Sequence, residues 1–252
     1  MRGRLIPTIH DASQPRAYKR FVQPWAARHA TALVAVSAHA RDEARRAFHA
    51  DTARIKVIHS GPGLEASDPA NGGPRIDASY LLYVGDLTEH KNLPFLVDVF
   101  AAAGAPERLV LAGRPGTGYE ALRDGIDASP ARDLIDVVVA PSDSELDRLY
   151  RGAVATVLPS LREGFGFTPL EAIARGCPVL ASDLPALREV LADGALLLPI
   201  GAQGPWVDAV RRIASDPTLR SELQGRARKV LDRYSWERTA RGVCDLFRNL
   251  GG

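Results

Sequence analysis

Lysine is scarce in this chain. Of 32 basic residues, only Lys19, Lys56, Lys91 and Lys229 are lysine, and arginine supplies the rest. A lysine beside a predicted turn therefore stands out. The formal charge of +2 is too small to predict an electrostatic footprint for nucleic acid. Cysteine is scarcer still: Cys177 and Cys244 lie far apart and form no CxxC pair, which excludes a disulfide framework and fits a reducing compartment. No uncharged apolar run is long enough for a membrane span, and Met1 to Thr8 carries arginines without the apolar run of a signal peptide. Several catalytic signatures are missing as well. There is no GxxxxGK[ST] phosphate loop, no GxGxxG opening a strand–helix unit and no GxSxG elbow. The histidines at 10, 29, 39, 49, 59 and 90 have no zinc-site spacing. No repeat or low-complexity tract is visible.

What is present is ordinary in bulk: 252 residues, 46% hydrophobic and 25% charged, enough for one large domain or two small ones. Residues 25–60 read as helix, strand, helix, strand, with Ser37 capping a helix from His39 to Phe48. Residues 64–78 are rich in Gly, Pro, Asp and Asn and form the best linker. A second unit begins with Tyr80-Leu81-Leu82-Tyr83-Val84-Gly85, followed by a helix from Leu93 to about Ala103 capped by Asn92. Strands at 108–113, 134–139, 154–158, 178–181 and 195–198 then alternate with helices, among them one opened by a Ser142/Glu145 capping box. Helices at about 206–215, 218–232 and 236–248 finish the chain. The strands are short apolar runs without internal alternation, the pattern of a parallel sheet covered on both faces. The predicted class is α/β, a doubly wound Rossmann-like sheet whose ligands sit beyond the strand C-termini.

The stretch Glu163-Gly164-Phe165-Gly166-Phe167-Thr168-Pro169-Leu170-Glu171 follows the strand ending at Pro159-Ser160. A glycine-rich turn between a strand and a helix N-terminus suits an anion or a sugar held against backbone N–H groups. Glu163 reads either as an exposed loop acid or as a carboxylate accepting bonds from a polyhydroxy ligand, with Gly164 and Gly166 permitting close backbone approach. Phe165 and Phe167 read as apolar walls or as core. Glu171 has two competing roles. With Thr168 as N-cap and Pro169 at N1 it falls at N3 and closes a capping box, or it turns to a ligand. Lys91 falls just before Asn92 and reads as a surface lysine or as a phosphate ligand over a helix N-terminus. His10-Asp11 is a possible ligand wall but a poor dyad, because adjacent loop residues rarely orient one another. Arg114 is a weaker phosphate candidate.

Together these stretches resemble the retaining glycosyltransferases of two-domain GT-B architecture, the group called family 4 or glycosyl transferases group 1. The matching segments are YLLYVGDLTEHKNL (80–93), RLVLAG (108–113), SELDRLYRGAVATVLPSLREGFGFTPLEAIARGCPVLASDLPALREV (144–190) and YSWERTA (234–240), with the glutamate–seven–glutamate pattern at Glu163 and Glu171. TIHD (8–11), LVAVSAHARDEARRAF (33–48) and VIHSGPG (57–63) resemble the end of the family's acceptor-side domain and its exit to the linker. The resemblance implies a donor-binding Rossmann-like domain at 79–234, a linker at 64–78, a remnant of the N-terminal domain at 1–63 and a C-terminal helix at 235–252. It implies transfer of a hexosyl group from a nucleotide diphosphate sugar to an acceptor hydroxyl with retention, mannosyl transfer in surface polysaccharide or glycan synthesis being one case. His10, Lys91 and Glu163 would act in transfer. Gly85, Lys91, Glu163, Gly164, Phe165, Gly166 and Glu171 would hold the donor, Glu163 on the sugar, Glu171 on the ribose and Lys91 on the diphosphate. No metal or tightly bound cofactor is expected. The acceptor would be a glycan or lipid-linked, and the location cytoplasmic, with at most peripheral membrane association.

The chain departs from the family pattern in three places. Asp86 stands where many members carry an arginine that pairs with the lysine. Ala140-Pro141 replaces a glycine–aromatic turn. A complete member would carry a long additional stretch ahead of Ile6. The alternative expectation is thus a weak or inactive nucleotide-sugar-binding chain that works as half of a split enzyme, in a homo-oligomer or as a structural partner. A nucleoside hydrolase or a sugar-nucleotide epimerase is a weaker rival, the latter lacking its glycine fingerprint.

Overall fold

The computed structural model describes residues 8–9, 23–63, 79–104 and 108–251. The predicted linker at 64–78 and His10 lie outside the described residues. Two parallel sheets organise the rest. The smaller has three strands in the order β1 (Thr8–Ile9), β2 (Leu33–Ala35), β3 (Ile55–Val57). Helices α1 (Gln23–His29) and α2 (Ala38–Phe48) connect these strands. Ser37 caps α2 as expected, its hydroxyl accepting from Ala40 N at 2.9 Å.

The larger sheet has six strands: β4 (Tyr80–Val84), β5 (Arg108–Gly113), β6 (Ile135–Val139), β7 (Ala155–Leu158), β8 (Val179–Ser182) and β9 (Leu196–Leu198). Their spatial order is β6-β5-β4-β7-β8-β9, all parallel. The winding reverses between β4 and β7, so the crevice outside their C-terminal ends is the switch point where doubly wound sheets place ligands. The absence of alternation inside the strands has a direct cause. In β4, Tyr80, Leu82 and Val84 face one core, while Leu81 and Tyr83 face the other. Both faces are covered: α3 (Leu93–Ala103) and α8 (Gln203–Ser215) lie over the Leu81 side, and α5 (Asp143–Gly152), α6 (Phe167–Ala174) and α7 (Pro185–Leu191) over the other. Helices α4 (Tyr119–Ala128), α9 (Pro217–Leu231) and α10 (Trp236–Gly251) complete the order.

Most predicted elements occur within a residue or two of expectation, including the reciprocal Ser142/Glu145 capping box at α5. Two differ in ways that matter. Asn92 precedes α3 in the left-handed region, φ 56°, without a side-chain cap bond, because it also closes a 3-10 turn at Glu89–Lys91. Helix α6 begins at Phe167 rather than after Thr168, because Gly166 takes the cap position at φ 115°.

The last helix returns to the smaller sheet. Trp236 Nε1 donates to Pro62 O at 2.8 Å and Thr239 Oγ1 to His59 O at 2.8 Å, while Leu246 packs on Ala32 and Val34. A second seam joins α2 to α7. The Glu189 carboxylate accepts from Ala38 N at 2.8 Å, His39 N at 3.3 Å and His59 Nε2 at 2.9 Å, completing from across the seam the α2 N-terminus that Ser37 only partly satisfies.

Candidate functional site

Lys91 and Glu163 are far apart in sequence yet meet, because Lys91 follows β4, Glu163 follows β7, and those strands are neighbours. Lys91 Nζ donates to Glu163 Oε1 at 2.6 Å, and Ser160 Oγ donates to the same oxygen at 2.7 Å. The two charged side chains are only 16% and 10% exposed. Burial at that level is tolerable because each charge has a partner and the carboxylate gains a hydroxyl donor. The two loops are also tied through backbone, Leu161 N donating to His90 O at 2.8 Å. Ser160 is fully buried at the strand end. Its place just after Pro159 in a strand-ending turn was readable from the sequence, but its bond to Glu163 depends on loop geometry.

Gly85 turns the chain away from β4 at φ 145°, and an added Cβ there would lie 2.8 Å from the Tyr83 hydroxyl. That hydroxyl donates to Asp86 O at 2.9 Å and pins the turn. Burial, with Glu163 and Asp86 nearby, pushes the Tyr83 phenol well above its ordinary pKa, so it stays a donor. The Asp86 carboxylate is exposed and lies 3.4 Å from the Arg114 guanidinium, itself exposed. The acid is therefore paired at the surface, and Arg114 is engaged with it. Arg162 is exposed on the loop before Glu163.

The capping-box reading of Glu171 is corrected by the position of α6. Counted from Gly166, Thr168 is already inside the first turn and Glu171 lies beyond N3. Its carboxylate instead accepts from the buried Tyr150 hydroxyl, Oη to Oε2, at 3.0 Å. The loop at Gly63 runs against its other oxygen, where an added Cβ would collide. Phe165 is core: its ring, 3% exposed, packs on Phe167, Tyr234 and His59 with centroids 5.2, 5.7 and 6.2 Å away. The Gly164 carbonyl accepts from Ser37 Oγ at 2.7 Å, so the glycine loop is buttressed from the smaller sheet's side. Gly166 supplies the left-handed cap, and a Cβ there would meet Leu187 at 2.9 Å. Ser37, Tyr150 and Glu189 were missed as site-supporting residues, since their partners come from other elements. Among the described residues, no group of three or more His, Cys, Asp or Glu side chains is assembled as a metal site would require. No helix among them is long and apolar enough to cross a membrane.

The fold and the strand-end site define a doubly wound α/β protein of the GT-B glycosyltransferase type. Residues 67–230 match the model of the family Glycosyl transferases group 1, and the chain belongs to that family. It is 32% identical over 227 residues to a D-inositol 3-phosphate glycosyltransferase of Nocardioides, covering 80% of this chain and 50% of the relative. It is 28% identical over 208 residues to the O-antigen chain mannosyltransferase RfbU of Salmonella typhimurium, covering 82% of this chain and 58% of that one. The chain thus spans about half the length of the curated relatives it matches. Among solved structures, Anabaena HepE in complex with UDP and glucose superposes with a TM-score of 0.83 at 18% identity, over 98% of this chain and 72% of that one. Sucrose-phosphate synthase from Thermosynechococcus elongatus gives a TM-score of 0.78 at 24% identity, over 96% and 67%.

Proposed function

We propose that this chain binds a nucleotide diphosphate sugar in the crevice between β4 and β7 and serves transfer of its hexosyl group to an acceptor hydroxyl, with retention of anomeric configuration as in family 4. The observation that carries the reading is the Lys91–Glu163–Ser160 constellation at the switch point of the larger sheet. An ammonium and a carboxylate in one half-buried place suit a ligand that brings anionic and hydroxyl oxygens together. Lys91 turns to the diphosphate and neutralises the charge that grows as the C1–O bond breaks. Glu163, released from Lys91, accepts bonds from sugar hydroxyls. Gly85, Gly164, Phe165 and Gly166 offer backbone at the strand-end turns, and Glu171 takes the ribose. The acceptor oxygen attacks C1 on the face the leaving group departs from, and its proton passes to the departing phosphate oxygen. His10 is assigned to the approach from the acceptor side.

The donor-binding unit is assigned to 79–234, joined by 64–78 to the acceptor-side segment 1–63, with 235–252 returning across both. The acceptor is assigned as a glycan or lipid-linked alcohol, and the place of action as the cytoplasm, with at most peripheral association with the inner face of the cell membrane. A relative named for O-antigen chain mannosyl transfer supports this acceptor class. Calorimetric titration with UDP, GDP and their hexose conjugates tests the donor assignment. Glu163→Ala is expected to abolish the preference for the sugar conjugate while keeping the nucleoside diphosphate. Lys91→Ala is expected to weaken the diphosphate itself by at least tenfold. Unchanged binding of both ligand classes in both variants would overturn the assignment.

A further inference from the structure

The glycine loop is fixed from two directions. From the larger sheet, Lys91 and Ser160 hold the Glu163 carboxylate. The next residue is held from the smaller sheet. Ser37, fully buried at the N-cap of α2, donates from Oγ to Gly164 O at 2.7 Å, across 127 positions of sequence. The cap sets the direction of that bond. Oγ already accepts from Ala40 N at 2.9 Å, so its one proton is left for the carbonyl. Ser37 is kept in place through its neighbours, since the Glu189 carboxylate of α7 accepts from Ala38 N and His39 N. One residue further along the loop, the buried Phe165 ring packs on the ring of His59, which follows β3.

These contacts fix the peptide between Gly164 and Phe165 at both ends. Gly164 has no Cβ to restrict its rotation, so this peptide turns over readily unless its carbonyl is tied. In a trans peptide the carbonyl and the following N–H point in opposite directions. With the Gly164 carbonyl on Ser37, the Phe165 N–H therefore faces away from Ser37. Among the described residues it bonds no backbone carbonyl.

We infer that Ser37 is a positioning residue for the donor sugar: by tying the Gly164 carbonyl it keeps the Phe165 N–H turned toward the crevice, as a hydrogen-bond donor to a sugar hydroxyl oxygen. This rests on the reading of the glycine loop as the sugar-binding loop of the donor site. A peptide already turned before the ligand arrives has less freedom to lose on binding, which is the general route by which preorganisation raises affinity. A residue beside the smaller sheet thereby sets sugar recognition at the end of the larger one.

The test titrates the full chain with UDP-glucose and GDP-mannose, each against its bare nucleoside diphosphate. Ser37→Ala removes the tie. It is expected to weaken the preferred conjugate about tenfold and to shift the bare nucleotide by less than about twofold. Ser37→Thr keeps a hydroxyl and is expected to retain the parent preference. Thr239→Val is the control for general loosening of the smaller sheet. It removes the bond to His59 O and is expected to lower the melting temperature while leaving the preference unchanged. Thermal melts establish that each variant is folded. Hydrogen exchange at the Phe165 amide, read by NMR, needs no variant: in the parent chain the conjugate is expected to slow it and the bare nucleotide is not. Parent-like preference in Ser37→Ala, or a Phe165 amide that the conjugate does not protect, would overturn the positioning role and leave the donor reading standing. Equal weakening of conjugate and bare nucleotide would also overturn it, since the effect would then not act on the sugar. If the parent binds neither conjugate more tightly than its nucleotide, the donor-sugar reading itself fails and the inference falls with it.

Discussion

At Gly85 the backbone stands at φ 145°, a region that residues with a Cβ rarely enter, and the Tyr83 hydroxyl closes the space a side chain would need. Gly85→Ala is therefore expected to destabilise the protein by about 1–3 kcal/mol, read as a lower urea midpoint at unchanged slope. Ala140 presents the opposite case. It sits at φ 50° after β6, where its N–H bonds Gly113 O at 3.0 Å. Ala140→Gly relieves left-handed strain of about 1–2 kcal/mol and adds an entropy cost of about 0.5–1 kcal/mol, so a small net stabilisation is expected in the same measurement. The family's usual glycine at this turn has a conformational reason that survives here even though the residue does not. At Asp86 the outcome is different again: an acid in the place of an expected arginine is accommodated by pairing with Arg114 at the surface.

Among the elements, α2 depends on a carboxylate from α7. Glu189 completes the α2 N-terminus and bonds His59, and although burial raises its pKa, these bonds outweigh burial and hold the carboxyl below its ordinary value. The sign follows from linkage: a carboxylate with a depressed folded-state pKa contributes stability that is present above its unfolded value and is lost as pH falls through the folded one. Glu189→Gln is expected to lower the melting temperature at pH 7, and the gap from the parent protein is expected to close as pH falls below about 4.5. Melting scans across that range check it, and a constant gap would contradict it. Most elements were legible in the sequence, because buried parallel strands are short apolar runs and because Ser37 and Ser142 carry their caps beside them. The start of α6 was not. Thr168-Pro169-Leu170-Glu171 satisfies the local capping rules, but Gly166, packed against Leu187 and Pro169, can take a positive φ and begins the helix earlier. The Lys91–Glu163 contact was not legible either, since it requires β4 to lie beside β7, which no local pattern specifies.

For the whole molecule, α10 ties the end of the chain to the smaller sheet, with Leu246 set against Ala32 and Val34. Leu246→Ala is expected to cost about 2–3 kcal/mol. Hydrogen exchange should quicken in β2 and β3 and leave β4 to β9 protected; uniform quickening would show that the two sheets unfold as one unit. The tie between Lys91 and Glu163 has a different consequence. As long as they hold each other, their charges offset and Lys91 Nζ and Glu163 Oε1 are engaged. Free phosphate could draw Lys91 away, but it would strand a carboxylate at 10% exposure that, among the described residues, keeps the Ser160 hydroxyl as its bond. A free sugar could occupy Glu163 but would strand the ammonium. Each half-ligand thus meets a penalty from the group it leaves behind, and only a molecule bringing both functions escapes both penalties. Under the proposed donor reading, the ion pair would act as a lock with two keys, disfavouring free phosphate and free sugar by the cost of opening rather than by shape.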